Sequence, residues 1–409
     1  MKVLFLTGEI PYPVHTGAKI RTFNLIKHLS KFNKITLLTF LYEANDLTKV
    51  EFIRDYCYDI KYVWRKKPEG LAFYLSLIQN LFSKNPFIVD KYYYKSYQDR
   101  LNAELVSGNY DIVHCDSVSL SWATFGVKKV AKVLTEHNME ATIWRRYHQE
   151  ENNPLKKLYI GSQSKRVFEF EKKVCQIFDA VIAVSEQDKQ RIGYDYNAQN
   201  VVVVPNGVDT DYFKPSERVS KPSTLIFTGS MDWRPNQDGI YYFYKKIWPL
   251  ILIKRPGTHL WIVGRKPPAK IKAMARADER IHVTGTVEDI RNYMEDAEVY
   301  IVPLRIGGGS RLKILEAWAM KKPVISTTVG AEGIDVTDGE NIVLADTPEK
   351  FTEKVLELFD NKALREKLGE KGQEMVLKKY DWRTISKMHQ EIWQMVYDKK
   401  RGSSLQQIS

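Results

Sequence analysis

The densest run of residues able to do chemistry lies between Ile301 and Ala319, where the chain reads IVPLRIGGGSRLKILEAWA. An apolar run stops at three glycines, and an amphipathic stretch then begins at Ser310, a residue type that caps helix N-termini. Glycines let the backbone come close to a ligand and aim free N–H groups at it. A helix N-terminus adds positive potential. Arg311 and Lys313 place two cations in the first turn, so Gly308, Gly309, Ser310, Arg311 and Lys313 together make a candidate phosphate site. Glu316 follows in the second turn, and a carboxylate there can accept two hydrogen bonds from a vicinal diol such as a ribose. Phosphate donors beside a diol-reading acid imply a nucleotide. A Gly-rich strand-to-helix turn with solvated charges is the bland alternative, and Arg311, Lys313 and Glu316 tip the balance away from it.

Other signatures are missing. The chain has no GxxxxGK[ST], and no GxGxxG follows its first apolar run. Asp209-Thr210-Asp211 has the spacing of an acid pair that can hold a divalent metal on a sugar diphosphate. It lies in a turn-rich stretch and reads as a helix or turn cap, so no metal site is expected. Cys57, Cys115 and Cys175 are too few and too far apart for a disulfide framework or a zinc site, and they fit a reducing cytosol.

Lys and Arg number 62 against 50 Asp and Glu, a formal net charge of +12. Such a balance fits a polyanionic partner: nucleic acid, an anionic membrane surface or a phosphorylated small molecule. The excess is spread along the 409 residues and forms no basic tail. A hydrophobic content of 44% with 27% charged residues excludes collagen-like and wholly disordered chains.

These residues need elements to position them. In the first half, apolar runs at 3–6, 35–40, 112–114, 132–135 and 180–184 read as strands. Amphipathic stretches at 20–30, 96–106 and 161–178 read as helices between them. Continuous apolar strands separated by helices predict a parallel sheet covered on both faces. The short apolar run after Lys2 is shorter than a signal-peptide core, so it reads as a buried first strand. The pattern restarts near residue 200. Strands are expected at 200–204, 224–227, 260–263, 281–283, 299–302, 324–326 and 342–344, with helices at 238–253, 287–296, 310–321 and 348–360. A polar stretch framed by Pro215 and Pro222 reads as a linker. The chain is thus expected to be α/β, with two Rossmann-like doubly wound domains, 1–200 and 201–380, facing across a cleft at the C-terminal edges of their sheets. Residues 381–409 read as an amphipathic helix, packing back on the first domain, and a polar tail.

No stretch approaches the roughly 20 apolar residues of a membrane span. The nearest, 71–82, is interrupted by Ser76, Gln79 and Asn80. Aromatic residues through 71–97, with Lys61, Arg65, Lys66, Lys67, Lys84, Lys91 and Lys95 around them, suit an anionic membrane surface. They suit equally an insertion packed on its own domain. RNA binding ranks below both, since no nucleic-acid motif accompanies the stretch.

Taken in order, several short segments carry a resemblance. They are the loop Pro13-Val14-His15-Thr16-Gly17 with the helix after it, Val184-Ser185-Glu186, Val204-Pro205-Asn206-Gly207-Val208-Asp209 and Phe227-Thr228-Gly229-Ser230-Met231. Further along come Ile262-Val263-Gly264, Val283-Thr284-Gly285-Thr286-Val287 and the run from Leu315 to Ile325. Each is weak alone, but their order and spacing over nearly the whole chain are specific. The chain resembles a family-four retaining glycosyltransferase of the GT-B fold, closest to the subgroup tied to exopolysaccharide clusters.

The resemblance implies a nucleotide-sugar donor of UDP or GDP type as co-substrate, bound by the C-terminal domain, and no bound cofactor. Glu316 matches the second Glu of the family's E-x7-E motif, which holds the ribose. Backbone at Gly285, Thr286 and Val287 would contact the base. The family's diphosphate Arg and Lys follow the first strand of this domain. Here that place holds Gly229 and Arg234 but no Lys, so Arg311 and Lys313 are expected to carry the charge. Gly308 stands where the family has the first Glu of the motif, the acid that helps engage the donor sugar. In the N-terminal domain Thr16, Gly17 and Arg21 would face the cleft or acceptor. His137 matches the cleft His that faces the transferred sugar. Glu9, Lys19, His114, Glu136 and Asn138 are neighbours of lower rank. The implied enzyme is a retaining, metal-independent hexosyltransferase acting on a glycan or polyprenyl-linked acceptor in exopolysaccharide synthesis. It would be cytoplasmic, or peripheral at the inner face of the plasma membrane. A GT-B sugar-nucleotide epimerase and a basic RNA- or membrane-binding protein are the rivals.

Overall fold

A computed structural model describes residues 1–306 and 311–406. The chain forms two compact units, one of residues 1–205 with 385–409 and one of residues 206–384.

In the first unit seven parallel strands form one sheet: β1 (Lys2–Leu6), β2 (Lys34–Leu41), β3 (Asp59–Trp64), β4 (Ile112–Cys115), β5 (Ala131–Glu136), β6 (Ala180–Ala183) and β7 (Val201–Val203). Their order is β3-β2-β1-β4-β5-β6-β7. The order runs outward from β1 and then restarts at β4, so the topological switch point lies between those two strands, where open α/β sheets bind ligands. β1 is buried from Val3 to Leu6, as expected of a first strand that feeds the core. β3, with the sequence DIKYVW, is the strand the sequence pattern misses. It is a half-exposed edge strand that mixes charges with aromatics, and it has no continuous apolar run.

The second unit has six parallel strands: β8 (Thr224–Thr228), β9 (His259–Val263), β10 (Ile281–Gly285), β11 (Val299–Val302), β12 (Val324–Ser326) and β13 (Val343–Leu344). The order is β10-β9-β8-β11-β12-β13, which puts the switch point between β8 and β11. The helix expected from 238 begins at Arg234, with Pro235 in its first turn, where the missing N–H costs nothing. The polar stretch 215–222 lies within this unit. In the turn ahead of it, Asp209 Oδ1 accepts from the N–H groups of Asp211 and Tyr212, as a turn cap does.

A helix, Trp382–Gln406, ends the described chain. From Ile385 on it groups with the first unit. Trp393 is fully buried there, and its Nε1 donates to His114 Nδ1 at 3.2 Å. Lys400 pairs with Asp179 at 3.0 Å.

Candidate functional site

In the second unit the chemistry gathers at the C-terminal ends of β8 and β11. Gly229 follows β8 with φ +146°, a conformation that side chains rarely adopt. A Cβ there would come 2.9 Å from Asn236 Nδ2 and 3.0 Å from Lys313 Nζ. Gly264, after β9, lies still closer to its neighbour, because a Cβ would meet the Gly229 carbonyl oxygen at 1.8 Å. The two glycines let the strand ends pack and leave open backbone next to a cation.

Lys313 stands in the first turn of the helix Leu312–Ala319. Its Nζ donates to Asn236 Oδ1 at 2.8 Å and lies 3.9 Å from the centre of the Phe227 ring. Burial, helped by the charge of Arg311, pulls its pKa down to about 7. No carboxylate touches it among the described residues. Glu316 is one turn further along and half-buried. Burial pushes its carboxyl up to about 7, against the pull of Lys313, and it accepts no hydrogen bond among the described residues. A cation and a carboxyl held one turn apart, each at the edge of its charged form, are poised for a ligand that brings the missing partners.

Arg311 is buried, donates to the Val329 carbonyl at 2.9 Å and lies 3.7 Å from Glu332. Arg234 is exposed at the start of its helix. Gly285, with φ +78°, ends β10, and Thr286 and Val287 follow it. Two strand spacings, about 10 Å, separate β10 from β8. Gly308, Gly309 and Ser310 lie outside the described residues.

A second cluster lines a cavity of about 220 Å³ in the first unit, at the ends of β1, β4 and β5. Asp116 follows β4, and its N–H donates to the Leu6 carbonyl at 3.0 Å, which fixes it at the switch point. Its Oδ2 accepts from Thr22 Oγ1, and its Oδ1 lies 3.3 Å from His137 Nε2. Burial pushes the Asp116 carboxyl up, but His137 and the Thr22 hydroxyl overcome it and hold it below the usual carboxylate range. Glu136, beside it in the wall, goes the other way. Burial and the nearby Glu171 carboxyl keep it well above the ordinary value. One wall thus sets a carboxyl held low beside a carboxyl held high, a pairing suited to sugar hydroxyls. Lys19 and Glu9 also line it and pair at 3.1 Å. Asn138 lies on the same wall.

Thr16 caps the helix Gly17–Leu29, accepting from the Lys19 N–H. Thr16 and Gly17 stand just ahead of Ala18, which lines the cavity. Arg21 departs from expectation. It is fully buried, and its guanidinium donates to the carbonyls of Val204 at 2.9 Å and Pro205 at 2.7 Å. It braces the interior of the unit and does not line the cavity. His114 is also a core residue, held neutral by burial with His389 beside it. Asp116 and Thr22 are functional candidates that the sequence reading missed, since only the strand order brings them to His137. Among the described residues, no group of three or more His, Cys, Asp or Glu side chains could hold a metal ion.

Comparison with known proteins gives these units a context. Residues 16–212 match the family model described as Glycosyltransferase Family 4. Residues 222–361 match the model described as Glycosyl transferases group 1. A 44.6 kDa protein in the cps region of Klebsiella pneumoniae, itself uncharacterized, is 22% identical over 375 residues, covering 88% of this chain and 91% of its own length. Among solved structures, the sucrose-phosphate synthase of Thermosynechococcus elongatus superposes with a TM-score of 0.73 at 16% identity, covering 98% of this chain and all of that one. Anabaena HepE, solved in complex with UDP, superposes with a TM-score of 0.65 at 13% identity, covering 96% and 99%. Both likenesses show the same fold, GT-B, with two Rossmann-like α/β domains.

Proposed function

We propose, for a chain that belongs to glycosyltransferase family 4 and is a glycosyltransferase, that it moves a hexose from a nucleoside-diphosphate sugar to a glycan or lipid-linked acceptor with retention of anomeric configuration. The observation that carries this reading is the arrangement of Gly229, Lys313 and Glu316 at the switch point of the second unit. Lys313 takes the diphosphate, whose charge restores the protonation that burial opposes. The N–H groups that open the helix Leu312–Ala319 face the same charge. Glu316 ionises as it accepts from the ribose hydroxyls, and Gly285, Thr286 and Val287 meet the base. UDP ranks before GDP because HepE was solved with UDP.

The chemistry then needs little side-chain acid–base work. The bond from the anomeric carbon to the leaving phosphate oxygen breaks, and a bond from that carbon to the acceptor oxygen forms on the same face. The leaving phosphate takes the acceptor's proton. Lys313 and the backbone donors stabilise the charge growing on the diphosphate, with Arg311 adding positive potential behind them. In the first unit the cavity between Asp116, Glu136 and His137 receives sugar hydroxyls. The cps-region relative supports a product among surface or exopolysaccharide glycans. The acceptor would then be met at the cytoplasmic face of the membrane. No helix among the described residues is long and apolar enough to cross a membrane.

The test is an assay of UDP- and GDP-hexoses with lipid extracts and oligosaccharides as acceptors. The expected result is acceptor-dependent release of UDP, with an axial-type anomeric coupling in the NMR spectrum of a product made from an axial donor. Inverted product would overturn retention. An epimerised sugar nucleotide formed without acceptor, or RNA binding indifferent to UDP, would overturn the transferase reading.

A further inference from the structure

Most surface helices bury an apolar stripe and show a polar one. The helix Gly70–Leu81 does the reverse. Its one fully buried residue is polar, Asn80, with Ser76 and Leu77 half-buried near it and Phe73 edge-on to Phe87. The Asn80 side chain donates to Asp90 Oδ2 at 2.7 Å and accepts from Gln163 Nε2 at 2.7 Å. Arg166 donates to the carbonyls of Asn80 and Leu81. Leu71, Tyr74, Leu75, Ile78 and Phe82 recur at helical spacing on the opposite face, with Leu81 at its margin. All six are exposed, Leu71 at 75% and Phe82 at 88%. From residue 70 to 83 the chain carries no charge, and residues 61–84 hold five basic side chains against one acid, Glu69.

Next to it, the helix Pro154–Ile177 supplies Gln163 and Arg166 to the Asn80 anchor. Near its start, Leu155 is 79% exposed and Leu158 75%, and they flank the exposed Lys156 and Lys157. Two neighbouring helices thus show leucines to solvent beside lysines.

We infer that the helix Gly70–Leu81 is a docking element that lies in the surface of an anionic lipid bilayer, with Lys66, Lys67, Lys84, Lys156 and Lys157 against the headgroups. A polar anchor holds the helix to the protein and leaves the apolar face outward as a fixed feature. Twelve residues make a helix of about 18 Å, too short to cross a hydrocarbon core of about 30 Å but sufficient to lie along one. An uncharged apolar face with lysines at its edges complements an anionic interface, where the acyl boundary takes the apolar groups and the headgroups take the cations. The inference stands on this surface and not on the donor site.

The test is flotation of the full chain with vesicles of phosphatidylcholine, with and without phosphatidylglycerol. The protein is expected to float with the anionic vesicles and far less with phosphatidylcholine alone. Leu75→Glu/Ile78→Glu should cut the bound fraction about tenfold, and Lys66→Glu/Lys67→Glu or raised salt should weaken it in the same direction. Near-UV circular dichroism and the UDP-induced thermal shift, read on each variant, show that the fold and the donor site persist. Failure of the wild type to float, or equal flotation of Leu75→Glu/Ile78→Glu, would overturn the inference. So would a soluble dimer that does not float and that this variant splits. Flotation without any UDP response would leave the docking element standing and count against the nucleotide site; the converse would do the opposite.

Discussion

Asp116 Oδ1 lies 3.3 Å from His137 Nε2, across the join between the ends of β4 and β5. Neither residue follows from the other in sequence; the parallel pairing of the two strands brings them together. Asp116 is held ionised, so it can orient the imidazole and keep one ring nitrogen turned towards it. Asp116→Asn should therefore lower kcat by about 10²-fold while the KM for the nucleotide sugar changes little, because the donor is held elsewhere. Steady-state kinetics on the variant check this, and an unchanged kcat would remove Asp116 from the account. The depressed carboxyl also contributes stability above the ordinary Asp value of 3.8, and that contribution is lost as the pH falls through its lower native value. Asp116→Asn should cost more in melting temperature at pH 7 than at pH 3.

Glu316 gives a pH-dependent signature of the opposite sign. Its carboxyl is raised from 4.5 to about 7, so the native state takes up a proton that the unfolded chain lacks between those values. The resulting stability is present in full below pH 4.5 and lost as the pH rises through about 7. Glu316→Gln removes the titration. In the absence of nucleotide the variant should melt about 2 °C above the wild type at pH 8 and show a smaller gain at pH 5. Differential scanning calorimetry at the two pH values decides it.

Lys313 and Gly229 make one prediction together. Lys313→Ala should raise the Kd for UDP about 10²-fold, since it removes a charge-assisted contact to the diphosphate. Gly229→Ala should act in the same direction, because its Cβ would press on Lys313 Nζ and Asn236 Nδ2 and would hold a backbone angle that side chains resist. The free lysine titrates near 7, so wild-type affinity for UDP should weaken as the pH rises above that value. Lys313→Ala should lose this alkaline limb and keep the acid limb that Glu316 imposes. Titrations of Kd against pH check both limbs.

Trp393 ties the last helix into the first unit. It is fully buried, its Nε1 donates to His114, and its ring meets Phe5 edge-on at 6.4 Å. Trp393→Ala should cost about 3–5 kcal/mol of stability, as large-to-small core changes do. Urea unfolding measures the loss. Donor affinity, carried by the other unit, should stay within about twofold where the protein remains folded.

Much of the fold was legible in the residues. Strands such as β11 (VYIV) and β12 (VIS) are rich in β-branched residues and buried throughout, and their bounds match the apolar pattern. Lys313 and Glu316 could be paired because residues three apart lie on one face of a helix, whatever the rest of the chain does. What was not legible depends on three-dimensional order. Asp116 and Thr22 reach His137 only because β4 lies between β1 and β5. Position one turn into a helix shows where Arg21 starts but not which way it points. Its partners are carbonyls 183 and 184 residues away. Asn80 looked like an interruption of an apolar run, yet it is the anchor that turns that run outward.

The central claim is that the second unit binds the nucleoside diphosphate of a sugar donor through Lys313 and Glu316. Isothermal titration of the purified chain with UDP at pH 7, repeated on Glu316→Ala, tests it most directly. The account predicts one saturable site in the wild type and at least a tenfold loss of affinity in the variant, about 1.4 kcal/mol. Binding of equal strength in both proteins, or no binding by the wild type at millimolar UDP or GDP, would contradict it.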